Sequence, residues 1–225
     1  MNKYIKVCGI ILLMIFSFYY TEKVALYVQN NTPLKKEIIT YKQDNAVEYV
    51  NAQINGEYII PGINGLEVNV DKSYSKMKSY NVFSERYLIY DEVKPEVSVN
   101  NFKNKIINLG NARKNAISII VSRQNKYVSY FDSNSIDYDY VDKTNYCIKL
   151  SDSNCSNNNK QIVEPTIVLS NSNFLKRLSE IKKGYIIFIN DDLNINYIKT
   201  LINYINYNGL NIFKLNKHLS ESYQL

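Results

Sequence analysis

Apolar and polar positions fall into blocks along this chain, and the clearest block runs from Lys182 to Leu215. Tyr185 to Ile189 is a continuous apolar run of strand length, and a run without alternation suits a strand buried on both faces, as parallel sheets require. Asp191 and Asp192 stand where a helix N-cap is expected. Ile195, Ile198, Leu201, Ile202 and Ile205 then recur at helical spacing, until Asn208-Gly209 offers a left-handed stop. Asn211 to Leu215 reads as the next strand. Strand, helix and strand within so short a span predict a βαβ unit with a right-handed crossover.

The rest of the pattern is more broken. Val7 to Tyr20 is apolar apart from Ser17, with Lys3 and Lys6 before it. Phe16, Phe18, Tyr19 and Tyr20 fill the positions of a small-x-small cleavage site, so removal by signal peptidase is not expected. Val24 to Val28 prolongs the run past Glu22 and Lys23, which can snorkel, and Tyr19, Tyr20 and Tyr27 suit an interface belt. The lysines place Met1 in the cytoplasm and the remainder outside. Cys8 stands at the start of the apolar run instead of after it, which excludes a lipoprotein signal.

From Leu34 to Ile54 the spacing is weakly helical, best in Ala46, Val47, Val50 and Ile54, with Asp44 or Asn45 as cap and Gly56 as stop. Glu57 to Val68 reads as two extended pieces around Pro61-Gly62 and Asn64-Gly65 turns. Asp71 to Tyr80 reads as a short helix and Arg86 to Val93 as a strand stopped by Pro95. Further on, Ala116 to Val121, Tyr127 to Phe131 and Thr166 to Ser170 read as strands. Asn173 to Ile181 reads as a helix with Phe174, Leu178 and Ile181 on one face.

The order from Gly184 onward, a short apolar strand ending in two polar residues, an amphipathic helix, a glycine-turned strand and a terminal Leu-rich helix, resembles the C-terminal part of the polysaccharide deacetylase (NodB-homology) family. The segment PGINGLEVNVDKSYSKMKSY and the following YDEVKP strand are similar to the extension before the deacetylase domain in some membrane-anchored members from low-GC bacteria. The resemblance implies a (β/α) barrel, a metal-dependent deacetylation site and a glycan substrate. It also shows what is missing. In the family the strand matching Gly184 to Ile189 ends in a histidine and an aspartate, and here those positions hold Asn190 and Asp191. The family's aspartate pair at the end of the first strand is absent from Ile119-Ile120-Val121-Ser122-Arg123, and a histidine pair is ruled out because His218 is the chain's 1 histidine. Base, metal ligands and acid being absent, no metal, no cofactor and no catalytic residue is expected, with Asn190 and Asp191 as positional remnants.

Composition sharpens this reading in a few places. The hydrophobic share of 45% is enough for a core, and the net charge of +6 is spread along the chain. That charge suits some affinity for anionic envelope polymers, and no RNP-type or helix-turn-helix signature points to nucleic acid. Asp132, Asp137, Asp139 and Asp142 cluster in FDSNSIDYDYVD, but Ile136, Asp137 and Lys143 break the EF-hand template, so a solvated acidic loop is expected. Capping accounts for Asp191 and Asp192. His218, alone near a helix end, is expected at the surface. Cys147 and Cys155 flank a Ser/Asn-rich turn. On the outer side of a membrane they can bridge, and two unpaired thiols is the other reading.

The expected fold class is α/β: a reduced or incomplete (β/α)-barrel-like sheet preceded by a small α+β extension and an N-terminal transmembrane helix. Residues 1–28 form the cytoplasmic cap and signal anchor, 29–109 the membrane-proximal helix and extension, and 110–225 the shortened deacetylase-like domain. That last stretch is about half of the roughly 250 residues a complete barrel takes. The expected function is a cell-membrane protein without catalysis that binds or positions cell-wall polysaccharide outside the cell, its protein partner unknown. Two alternatives stand beside it: a hydrolase of N-acetyl groups on that polysaccharide with an unorthodox site, and a non-enzymatic bitopic assembly protein.

Overall fold

The computed structural model describes residues 3–123, 126–151, 155 and 160–223. Two compact units divide the chain, one joining 1–47 to 66–91 and the other 48–65 to 92–225.

The first unit opens with the helix Lys3–Asn30, whose window Val7–Ala25 is long and apolar enough to cross a membrane and is 0% buried. A second helix, Pro33–Asn45, follows with proline in its first turn and Thr32 as N-cap, accepting from Lys35 N at 3.3 Å. Asn69 caps a third helix, Val70–Met77, accepting from Lys72 N at 2.9 Å. Leu34, Ile38, Val68 and Met77 close a small core between these pieces. The helix expected over Ala46 to Ile54 does not form: Val47 bridges Leu66 in antiparallel fashion. Ala46, Val47, Val50 and Ile54 have a spacing that fits a helix, but long-range β pairing takes these residues instead.

In the second unit Val50 bridges Ile63, and Gln53–Asn55 pairs antiparallel with Tyr58–Ile60 through a turn at Gly56, whose φ is +59°. A positive φ at the first turn residue is what a tight hairpin asks of glycine. Ile106–Ile107, Ile162–Val163 and Cys147–Ile148 extend this sheet with parallel pairings. A second sheet runs Ile167–Leu169, Ile186–Ile189, Ala116–Val121, all parallel. The far edge of Ala116–Val121 is shared: Asn211–Ile212 pairs with its first residues and Asp139–Tyr140 with its last.

The βαβ unit is therefore a split one. Helix Ile195–Tyr207 connects Ile186–Ile189 to Asn211–Ile212, but Ala116–Val121 lies between the two strands. Alternation of side chains divides two cores. Ile117, Ile119, Val121, Ile187 and Ile189 pack with Phe131, Phe174, Ile198, Leu201 and Ile205 of the helices. Ile120 and Ile186 face the other way, toward Ile59, Ile107, Ile148 and Val163 of the first sheet. Two layers of strands enclosing one core, with helices outside one of them, is the arrangement of a shortened barrel.

Three local expectations are corrected. Tyr127 to Phe131 is not a strand; Val128–Ser133 is a helix that buries Phe131. Tyr127 and Phe131 are one helical turn apart, so both reach the helical core. The last strand stops at Ile212, and Leu215–Leu219 is a short helix whose first N–H donates to Asp139 Oδ2 at 2.6 Å. Asp191 and Asp192 do not cap the helix that follows; Asn194 does, accepting from Asn196 N at 2.8 Å.

Candidate functional site

Open α/β sheets and barrels place their working groups at the C-terminal ends of parallel strands. Here Val121 leads to Ser122 and Ile189 to Asn190 and Asp191, so the neighbouring strands bring these residues together. Ser122 Oγ donates to both oxygens of Asp191, at 2.7 and 2.8 Å. Asn190 turns its side-chain oxygen to Asp191 N at 2.8 Å, and its carbonyl accepts from Leu193 N at 3.1 Å. Asn171, after the adjacent strand, donates to the Asp192 carbonyl at 2.6 Å and accepts from Asn194 N at 2.9 Å. The two aspartates thus order a turn, and the asparagine beyond them begins the helix.

This constellation carries little reactivity. A serine hydroxyl given to a carboxylate lacks the imidazole that would take its proton, so the pair is not a nucleophile and base. The residues present do not fit the divalent metal implied by the family resemblance: among the described residues no three His, Cys, Asp or Glu side chains converge as a cation site. The acidic stretch is not a cluster but a set of separate contacts. Asp132 accepts from Tyr138 Oη at 2.9 Å, Asp142 pairs with Arg123 at 2.7 Å, and Asp139 starts the C-terminal helix. Burial pushes the Asp139 carboxyl above its usual range, opposed by the Leu215 N–H.

Beside the strand ends lies an open groove of about 790 Å³. Its floor is Val168 and Phe188, which point to the same side of the sheet as Asn190 because side chains alternate along strands. Lys149, Leu150 and Ser151 form one side, with Glu164 and Pro165 next to them. Lys149 and Glu164 form an ion pair at 3.1 Å, and the hydrogen bond to Glu164 holds the Lys149 ammonium above its usual range. An apolar floor carrying an aromatic ring, edged by an amide and a charged pair, suits a ligand with both hydroxyl groups and apolar faces. The sequence reading missed Lys149, Glu164, Val168 and Phe188, which only the fold brings together.

Cys147 and Cys155 are joined, with sulfurs 2.07 Å apart. His218 overturns its surface assignment. It is 0% exposed, and its Nδ1 lies 2.8 Å from Ser118 Oγ. Ser118 gives its hydroxyl hydrogen to the Phe213 carbonyl at 2.8 Å, so it accepts from Nδ1–H and leaves Nε2 as an unprotonated, buried atom without a hydrogen-bond partner. Burial, then the nearby Lys114 ammonium, pushes the imidazole down to about 4. Lys114, itself buried, donates to the carbonyls of Lys217 (2.8 Å) and Ser220. His218 lies at the opposite end of Ala116–Val121 from Ser122, and it is a packing group, not a ligand.

No family model matches the chain. Solved structures of BA3943 decide the fold. The wild-type protein from Bacillus anthracis, described as a CE4 family pseudoenzyme, has a TM-score of 0.56, 14% identity, and coverage of 84% of this chain and 95% of its own. The fold is like that of this CE4 family pseudoenzyme. A BA3943 mutant described as having restored enzymatic activity gives the same TM-score of 0.56 and identity of 14%, covering 84% of this chain and 98% of that one. In sequence, the uncharacterized protein YlxY of Bacillus subtilis (strain 168) is 35% identical over 91 residues. Those residues are 40% of this chain and 28% of that protein, so the matched stretch spans little more than a quarter of YlxY.

Proposed function

We propose that this chain is a membrane-anchored, deacetylase-like protein that holds cell-envelope glycan without cleaving it. The observation that carries the reading is the juxtaposition at the strand ends: a groove with an aromatic floor and amide edge lies where, among the described residues, no three His, Cys, Asp or Glu side chains gather. The similarity in fold to a CE4 family pseudoenzyme supports it. In this reading residues 1–28 anchor the chain with Met1 in the cytoplasm, 29–109 act as the membrane-proximal extension, and 110–225 are the deacetylase-like part outside the cell. Lys3 and Lys6, ahead of the apolar window, set that direction.

The test uses the full chain in detergent micelles with purified cell-wall glycan, scoring sedimentation and acetate release in one sample. Binding that drops about tenfold in Phe188→Ala, with no acetate released, is the expected result. Acetate release that disappears in Asp191→Asn would replace the binding role with hydrolysis.

A further inference from the structure

In the first unit two ion pairs join Lys42 to Glu67 (3.0 Å) and Lys35 to Asp71 (2.7 Å). Together they set a direction. Lys42 stands near the end of Pro33–Asn45 and Lys35 in its first turn, so the chain from Glu67 through Asp71 runs back along that helix toward Pro33. Met77, at the end of Val70–Met77, joins Leu34 and Ile38 in one buried core. The residues after Met77 therefore emerge at the end of the unit where Asn31 and Thr32 link Lys3–Asn30 to Pro33–Asn45. That is the end at which an anchored chain leaves the bilayer.

What emerges there is apolar and basic at once. Lys76 and Lys78 are exposed, Asn81 turns the chain with a φ of +50°, and Tyr80 and Val82 are 68% and 66% exposed. Phe83, next along, turns inward and meets the Tyr41 ring at 5.4 Å. Tyr87 returns to stack on Tyr80, with ring centroids 6.0 Å apart and planes at 8°, and a pair already stacked has less rotamer freedom to lose on binding. From residue 76 to 87 three cationic side chains stand against one carboxylate, Glu85. Rings with polar tips, an apolar side chain between them and flanking cations are what the headgroup layer of a bilayer accepts.

We propose that this loop is a second membrane contact: Tyr80, Val82 and Tyr87 enter the headgroup layer beside the exit of the first helix, and Lys76 and Lys78 meet lipid phosphates. One crossing helix leaves the unit able to rotate about its exit, and a second contact point removes that freedom. Three apolar side chains are far less than a stable protein interface needs. Against a bilayer so small a patch is enough, because the anchor already holds it at the surface, where a weak contact acts at high effective concentration. The inference rests on the reading of residues 1–28 as an anchor; it does not depend on the groove or its ligand.

The chain contains no tryptophan, so a single introduced indole reports on its own surroundings. The full chain carrying Tyr80→Trp, Phe16→Trp or Asp44→Trp is placed in vesicles of phosphatidylcholine and phosphatidylglycerol. Quenching is then measured with lipids brominated near the headgroup or near the bilayer centre. Tyr80→Trp emission is expected to fall at least about twofold with the shallow bromines and less with the deep ones. Phe16→Trp, in the middle of the apolar window, is expected to show the reverse order, and Asp44→Trp, exposed near the far end of Pro33–Asn45, no quenching. Adding Lys76→Gln and Lys78→Gln is expected to reduce the Tyr80→Trp quenching about twofold, and an unchanged signal overturns the lysine contact. Quenching at Phe16→Trp without quenching at Tyr80→Trp overturns the second contact and leaves the anchor standing. Unquenched Phe16→Trp defeats the anchor reading and the contact with it. Blue-shifted Tyr80→Trp emission that lipid bromines do not reach means that a protein surface covers the loop, and it overturns the proposal. Equal quenching at Asp44→Trp and Tyr80→Trp overturns the assignment to this loop.

Discussion

The two ends of the strand Ala116–Val121 spend their polar residues in opposite ways. At its C-terminal end Ser122, Asn190 and Asp191 meet in a solvent-facing turn. At the other end Lys114, Ser118 and His218 are buried, and they bind the last helix to the sheet through the carbonyls of Phe213, Lys217 and Ser220. Catalysis in this fold class needs the first end, and stability needs the second. In this chain the only histidine sits at the stability end.

That contrast breaks most sharply at Gly110. A Cβ there would lie 2.2 Å from His218 Nε2, so the ring and the glycine occupy one another's space. Gly110→Ala is expected to cost about 3 kcal/mol, the upper range for overpacking a filled core, read from denaturant midpoints of the full chain. A loss below about 1 kcal/mol would mean that the imidazole can move aside.

Acid probes the same lock with a defined sign. Folding lowers the His218 pKa from 6.5 to about 4, so between those values the unfolded chain binds the extra proton. Stability from this group is complete above the unfolded value, falls as pH drops toward about 4, and changes no further below it. The full loss is on the order of 3 kcal/mol. His218→Asn should lower stability at neutral pH and flatten the slope over that window. An unchanged slope in the variant would assign the acid sensitivity to carboxylates such as Asp139 instead.

Reading from sequence worked best where burial acts on continuous runs. Ala116–Val121 and Ile195–Tyr207 were legible because an unbroken apolar strand and an apolar stripe at helical spacing each admit one solution. Val47 to Ile54 was misread because its spacing is ambiguous and its partners, Leu66, Ile63 and Tyr58 to Ile60, come from another part of the chain. Aromatic and β-branched residues at Tyr127 to Phe131 suggested a strand, and packing against the helical core chose otherwise. At the site, the place of Asn190 and Asp191 directly after an apolar strand was legible from order and spacing. The Ser122 contact was not, because it depends on two strands being neighbours. Helix capping was expected of Asp191 and Asp192, but the side chain that accepts from the first turn, at Asn196 N, belongs to Asn194. Nothing local distinguishes a buried His218 from an exposed one.

The smallest expected effect belongs to the C-terminal end of the strand Ala116–Val121. Ser122→Ala removes a hydroxyl that donates to an exposed carboxylate, and Asp191 in water regains its hydration when that donor is lost. The change in stability should stay within about 0.5 kcal/mol, the usual range for surface substitutions. Glycan binding should also hold, because Asn190 lines the groove and Ser122 does not. The substitution thus separates two meanings of a remnant. If Ser122 and Asp191 only order the turn, binding and stability both survive. If Ser122→Ala instead weakens glycan binding about tenfold while leaving the denaturant midpoint in place, the ligand reaches past the groove onto the strand ends, and the contrast between the two ends becomes one between a binding surface and a lock.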